Sequence, residues 1–393
     1  MLEWIIVGGG VHGCTVATYL IKSGASQVED ILIIDPNEAL LYNWKCNTDR
    51  IGMEYLRSPG VHHIDVKPFS LEQFGKQLGD EKGFYGHYKR PSLDLFNDHC
   101  KKILKETKME QSFYQGEVVS VKRHGQGWNV QTDKGTTFSG KRIVVAISTS
   151  GQPNIPEWAQ DLKRASSNHL QHIYQKSNLD LTNLNPPIVV VGGGISAAHT
   201  VIKLCNLYPG KVTLLKRHPF RIHDFDSDPG WLGPKHMRTF KMIPDYDERR
   251  RVIQHARYRG SIPKELHLKI RSLVKEGKLS IVDGEVNTVS KINKNHNFLI
   301  HLDQQEKSIK ANSVILATGF QSSLPNQGWL KKLIVEEKLS CASCGYPIVN
   351  ESLEWCSHLY VAGPLAELAI GPVSRNISGA RRAAESIVGN YIN

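Results

Sequence analysis

Short apolar runs punctuated by glycine set the rhythm of this chain. Residues 3–7 (EWIIV) read as a buried strand, GGGVHG follows, residues 14–22 suit a helix that Gly24 closes, and ILIID at 31–35 is a second buried strand. That order is a βαβ unit. It returns with IVVV at 188–191, GGGISAA, a helix to about Asn206, a turn at Pro209 and Gly210, and KVTLL at 211–215.

After each unit and an intervening segment, alternating apolar and polar positions predict a three-stranded meander. The first copy falls at 117–122, 128–132 and about 136–138, the second at 285–290, 298–302 and about 307–310. Each meander feeds a further apolar strand, RIVVAIS in one case and SVILATG in the other. The pattern predicts an α/β fold with two Rossmann-like, three-layer nucleotide-binding domains, the second inserted into the first. GQPNIP at 151–156 leaves the first half and LNPP at 184–187 opens the second unit. The expected division is 1–160 with 311–393 for one domain and 161–310 for the other. Within the second, about 219–275 breaks the plan as a helical insertion expected near the substrate, with Trp231, His236 and Arg238 as candidates to shape that site. The closing strand, Gly/Pro-rich loop and helix after 359 imply a return to the first domain.

Composition changes this picture little. A chain of 393 residues, 40% hydrophobic and 22% charged, has the make-up of an ordinary globular protein with room for more than one core. The basic excess, 49 Lys plus Arg over 38 Asp plus Glu, reads mainly as solvated surface. Arg249, Arg250 and Arg251 are its compact cluster, without the interleaved aromatics of a nucleic-acid groove, so no nucleic acid is expected. No run approaches the ~20 apolar residues that span a bilayer, and a glycine fingerprint so near the first methionine leaves no room for a cleavable signal. Seven scattered cysteines are an odd number and do not form a secreted disulfide framework; the expectation is a cytoplasmic protein away from membranes.

The glycine turns carry the chemistry. A helix start offers unpaired N–H groups and the positive end of its dipole to a diphosphate, and glycine lets the backbone come close. In the first copy Gly8 permits the tight turn, Gly10 the approach to the pyrophosphate and Gly13 the packing of helix on strand. Asp35, 22 residues after Gly13 and at a strand end, is placed to accept from ribose hydroxyls. The second copy has Gly192, Gly194 and Ala197. Its strand ends in Lys216, Arg217 and His218, which favour the 2′-phosphate of NADPH over the bare ribose of NADH.

In order, GGGVHG, IGMEYLRSPGVHHIDVKPFSL, GGGISAAH, ATGF at 317–320 and GPLAELAIGPVSRNISGA resemble the two-dinucleotide-binding flavoproteins. Within them the chain is most similar to the class B flavin monooxygenases, and above all to the lysine and ornithine N-hydroxylases of siderophore pathways. The resemblance implies FAD in the first cradle, with Val11, His12, Pro36, Trp44, Val118 and Gly363 joining the glycines and Asp35. It implies NADPH in the second, where Ile195, Ser196, Thr318 and Gly319 join the set, Ser196 beside the diphosphate. Asn376 and Ile377 would lend N–H groups to the flavin's reduced edge, with Asn376 also suited to an ordinary helix N-cap.

Two departures from that group bear on the substrate. Val11 and His12 replace its proline-led loop, and FDSDPGWLGPKH at 225–236 replaces its amino-acid-binding segment. The hydroxylation signature of related flavin-containing monooxygenases is faintly echoed by SSNHLQHIY at 166–174, with different spacing.

The resemblance implies that NADPH reduces the flavin, that O₂ reacts with it, and that one oxygen passes to a nucleophilic nitrogen or sulfur of a small amine or amino-acid-like molecule. It also leaves room for a homo-oligomer. No metal is expected: His62 and His63 are adjacent but lack an HExxH-type spacing or a flanking carboxylate pair. Two other readings stay open. Cys341 and Cys344 form a C-x-x-C pair that would suit an NADPH-dependent disulfide reductase, and two cradles would also serve a flavin-binding sensor without turnover.

Overall fold

The computed structural model describes residues 1–79, 83–165, 169–175, 179–291, 298–303 and 308–392. Strand β1 (Leu2–Val7), helix α1 (Val11–Lys22) and strand β2 (Ile31–Asp35) form the first βαβ unit. Strand β3 (Ile188–Val191), helix α2 (Ile195–Leu207) and strand β4 (Val212–Lys216) form the second. Trp4, Ile5, Ile6, Val189 and Val190 are at most 1% exposed, because a parallel strand covered on both faces has no polar side to show.

The duplication extends to strand order. Around β1 run, all parallel, Leu359–Val361, Thr137–Val145, β1, β2 and Phe113–Gln115. Around β3 run, again all parallel, Leu170–His172, Ser313–Leu316, β3, β4 and Leu279–Asp283. The outermost parallel strand of the first sheet comes from the far end of the chain, edged by the antiparallel Glu354–Cys356, whereas that of the second precedes β3 in sequence.

The two meanders differ. In the first, Thr137–Val145 is one continuous strand that pairs antiparallel with Gly127–Thr132 and then parallel with β1, so the meander belongs to the eight-stranded main sheet. Gly140 stands at the changeover, where an added Cβ would lie 2.8 Å from the Ile5 side chain. In the second, Ser308–Ala311 and Ser313–Leu316 are separate, and the meander is a three-stranded sheet of its own. Since Ser313–Leu316 pairs with β3, the chain returns to the first sheet only after Leu316, later than the 311 read from the sequence.

The insertion is helical, with Pro234–Met242, Tyr246–Ala256 and Lys264–Lys275. Trp231, Met237, Phe240 and Ile253 join the core of the first sheet, and Met237 and Phe240 approach Gly371 in the C-terminal loop. The chain ends in helix α3 (Ile377–Ile392), packed on α1. SSNHLQHIY lies partly outside the described residues; its C-terminal part is the outer strand Leu170–His172 and the turn that follows. No helix among the described residues is long and apolar enough to cross a membrane.

Candidate functional site

Both glycine turns close at the carboxyl ends of parallel strands, where a doubly wound sheet leaves a crevice. Gly8 has φ of +113° and Gly192 +148°, and a Cβ on either would fall 2.7 or 2.4 Å from the carbonyl oxygen of Ala146 or Ala317. At Gly13 a Cβ would stand 1.8 Å from the Gly8 carbonyl oxygen, so α1 can pack on its strand only with glycine there. The space in front of Gly10 is open: a Cβ there meets nothing within 4 Å. The first helical hydrogen bond is donated by Cys14 to Gly10, which leaves the N–H groups of Val11, His12 and Gly13 without a helical acceptor. Tight glycines below, open space above and free donors between fit a diphosphate. The second turn repeats the tight first glycine and the free donors, with Ala198 donating to Gly194 and Ala197 buried in the third place, but a Cβ on Gly194 would meet Gly260 Cα at 3.3 Å.

Asp35 sits where the sequence places it. Its carboxylate accepts from the Gly9 N–H at 2.8 Å and from the Asn37 N–H at 2.9 Å, which ties the acid to the turn. The basic end of β4 is less uniform than its sequence. Arg217 is exposed and 3.5 Å from Glu285, and both it and His218 line the cleft, joined by Arg221, which the sequence reading missed. Lys216 is not part of this set. Its ammonium is buried against the Asp283 carboxylate and donates to the His218 carbonyl at 3.3 Å, because successive strand residues point to opposite faces.

One cavity of about 1780 Å³ runs between the two units. Gly192, Gly194, Ile195, Ser196, Thr318 and Gly319 line it from the second half; His12, Trp44, Asn376 and Ile377 line it from the first. Gly8, Val11, Asp35, Pro36, Val118 and Gly363 lie outside that lining; Val118 is a core residue and Gly363 packs against the His12 ring. The imidazole of His12 bonds to the Arg375 backbone, and its Nδ1 has no protein partner. Burial holds its pKa down to about 4, so at neutral pH it is an uncharged ring with a spare, buried acceptor.

The side chain of Asn376 donates from Nδ2 to Asp226 Oδ1 at 3.0 Å, across to the insertion loop. Arg257, whose pKa burial holds down to about 10, reaches the same carboxylate at 3.7 Å. Arg57 fastens that loop by donating to the carbonyls of His223, Asp224 and Phe225 and to Ser261 Oγ. Of the insertion residues singled out by sequence, Trp231 is 8% exposed and packs on Phe240, His236 meets Asp228 at 3.2 Å, and Arg238 is exposed; none lines the cavity. Asp228, Pro229 and Leu232 do, a distinction that composition alone does not make.

Two of the three arginines in the run are structural, while Arg251 is exposed beside Glu248. Arg250 is paired with the buried Glu367, which also accepts from Arg375 at 2.9 Å, and Arg375 donates to Tyr346 Oη at 2.8 Å. Arg249 donates to the Leu368 carbonyl. Both lock the insertion to the C-terminal loop that carries Asn376.

Cys341 and Cys344 lie on a turn away from the cavity, where Ser343 bonds to Asp247. Burial, with Cys344 nearby, raises the Cys341 thiol and so disfavours its thiolate. Among the described residues no group of three or more His, Cys, Asp or Glu is arranged for a metal ion.

Two dinucleotide-type cradles opening on one cavity define an oxidoreductase that works with a flavin and a pyridine nucleotide. The profile of the pyridine nucleotide-disulphide oxidoreductases matches residues 5–258, and the chain belongs to that family. The family's cofactors are FAD and NAD(P)H, and the cradles fit them. No curated protein matches the sequence. Among solved structures, an ornithine hydroxylase from Pseudomonas aeruginosa superposes with a TM-score of 0.78 at 18% identity, over 99% of this chain and 98% of that one. An FAD-bound cadaverine monooxygenase from Erwinia amylovora gives 0.72 at 15%, over 100% and 94%. The bacillithiol disulfide reductase of Staphylococcus aureus gives 0.63 at 17%, over 100% and 98%. These likenesses establish a shared fold.

Proposed function

We propose that this oxidoreductase is an FAD- and NADPH-dependent monooxygenase that places one oxygen of O₂ on a nucleophilic nitrogen of a small amine or amino-acid-like substrate. In this reading Val11, His12 and Gly13 hold the FAD diphosphate and Asp35 its ribose. Gly194, Ile195 and Ser196 hold the NADPH diphosphate, with Arg217, His218 and Arg221 at the 2′-phosphate. FAD, when bound, supplies the acceptor for hydride and the reaction with O₂. The chain's part is to align donor and acceptor, seat the amine and keep water out.

The observation that carries the reading is the make-up of the shared cavity. No cysteine lines it, and among its carboxylates Asp228 stands partly exposed on the wall, where it suits an amine, while Asp226 is already held by Asn376 and Arg257. A reductase working through its own thiols would need one on the cavity; Cys341 and Cys344 are elsewhere, and Cys14, close to the first turn, is buried with its thiol held to the Gly9 carbonyl and its pKa raised by burial. Seven free cysteines fit a reducing compartment, and we place the enzyme in the cytoplasm.

The test is a screen of primary amines and basic amino acids that follows NADPH consumption, hydroxylamine formation and hydrogen peroxide release together. A true substrate raises hydroxylamine in step with NADPH and suppresses peroxide. NADPH oxidation driven by a disulfide and abolished in Cys341→Ser would instead establish the reductase.

A further inference from the structure

Ser196 stands at the second helical position after Gly194, inside the second cradle and on the cavity wall. Its hydroxyl has a partner from outside the βαβ unit: Tyr174 Oη lies 2.6 Å from Ser196 Oγ. That phenol is held from several sides. Its ring stacks on Phe320 of ATGF, with centroids 4.9 Å apart and an interplanar angle of 18°. Its own N–H donates to His172 Nδ1 at 3.1 Å. Arg50 reaches over from the helix Tyr42–Ile51 and donates to the carbonyls on either side, Ile173 at 3.1 Å and Gln175 at 2.9 Å.

A pair of hydroxyls has two possible directions, and an incoming diphosphate discriminates between them because it accepts and does not donate. Burial raises the Tyr174 phenol, which keeps it protonated, and a phenol is the better donor of the two. When Tyr174 donates, the proton of Ser196 is released for the cradle, and a hydroxyl that already accepts a hydrogen bond becomes a stronger donor. We propose that Tyr174 is a positioning residue for the pyridine nucleotide: it fixes Ser196 as a donor into the second cradle, in the order Tyr174 O–H to Ser196 O–H to phosphate oxygen. The inference rests on the reading that this cradle holds the nucleotide diphosphate. It adds the residue that orients the serine, and through Arg50 it ties that orientation to the first half of the molecule.

The experiment measures binding of NADP⁺ and of 2′-AMP, which lacks the diphosphate, to the FAD-loaded protein by titration calorimetry. Wild type, Tyr174→Phe, Ser196→Ala and the double variant are compared. Tyr174→Phe keeps the ring on Phe320 and removes only the hydroxyl. Ser196→Ala is expected to weaken NADP⁺ about tenfold, as for a hydrogen bond to a charged group, and Tyr174→Phe about threefold, because the serine remains but is no longer oriented or polarised. The double variant should be no weaker than Ser196→Ala, since Tyr174 acts only through the serine. Binding of 2′-AMP, FAD content and Tm should not move. Unchanged NADP⁺ affinity in Tyr174→Phe, or losses that simply add in the double variant, would overturn the relay alone. A wild-type protein that binds neither NADP⁺ nor 2′-AMP would overturn the cradle reading together with it.

Discussion

The two nucleotide cradles share a strand order and a glycine plan, yet they meet solvent differently. In the first, Gly8, Gly9 and Gly13 are buried and only His12 of the turn lines the cavity. In the second, Gly192, Gly193, Gly194, Ile195 and Ser196 all line it. The acid of the first is tied back onto its own turn through the Gly9 N–H, while Arg217 of the second stands exposed at the cleft beside Glu285. A closed cradle suits a cofactor that stays, and an open one suits a co-substrate that enters and leaves each cycle. Under the proposed assignment of FAD to the first cradle and NADPH to the second, one plan serves two residence times through differences in packing around it.

Exchanging the third small residue of each turn should affect the two cradles most unequally. Gly13→Ala sets a Cβ 1.8 Å from the Gly8 carbonyl oxygen, so α1 must move off its strand. Such overpacking costs ~1–3 kcal/mol and would fall on the diphosphate donors themselves. The expected product is protein without FAD, read from its visible absorbance relative to protein. The reverse change, Ala197→Gly, should cost ~1 kcal/mol of helix stability and leave NADP⁺ binding in place. Full FAD content in Gly13→Ala would show that the two turns are equally roomy.

Much of this contrast is readable in sequence and part of it is not, for a physical reason. The buried strands, both glycine turns and Asp35 are local features, each determined by residues within a few positions. Lys216 and Arg217 look equivalent in a basic run, but only the fold sets Asp283, 67 residues away, against one of them. Trp231 reads as a site residue by its loop composition, whereas its apolar area is better spent against Phe240 in the core. Helices Tyr42–Ile51 and Leu93–Glu106 lie between the first unit and its meander and carry no glycine punctuation of the kind that marks the cradles. Tyr174 reaches Ser196 only because Leu170–His172 pairs with Ser313–Leu316.

Acid should also separate the two halves. His63 and His99 are fully buried in the first half with ring centroids 5.1 Å apart, and burial holds their pKa values down to about 4 and about 3. Unfolded, each titrates near ~6.5. Folded pKa values below unfolded ones mean that the unfolded chain takes up protons first as pH falls. Stability is then complete above about 6.5 and declines toward pH 4, by on the order of 2 kcal/mol for each ring. His199 gives the second half a similar share, with a pKa of about 4, but without a neighbouring imidazole to repel. Hydrogen exchange at pH 5 should therefore show the strands around β1 losing protection before those around β3. His99→Phe should flatten the fall of Tm with pH, and an unaltered slope would remove this account.

The smallest expected effect tests the basic end of β4. If Arg217 carries the 2′-phosphate, Arg217→Ala should raise KM for NADPH about tenfold, the loss of one charge-assisted hydrogen bond, and leave KM for NADH unchanged. Lys216→Met should do the opposite of what its place in the basic run implies. Its ammonium is already paired with Asp283, whose largely exposed carboxylate stays solvated without it, so removing it moves Tm little, while KM for NADPH stays within about twofold. The two variants differ by one sequence position and by opposite faces of one strand. If Lys216→Met were the one to lose NADPH, the Asp283 pair would have to open on binding, and the open cradle would owe its selectivity to a rearrangement in place of a preset charge.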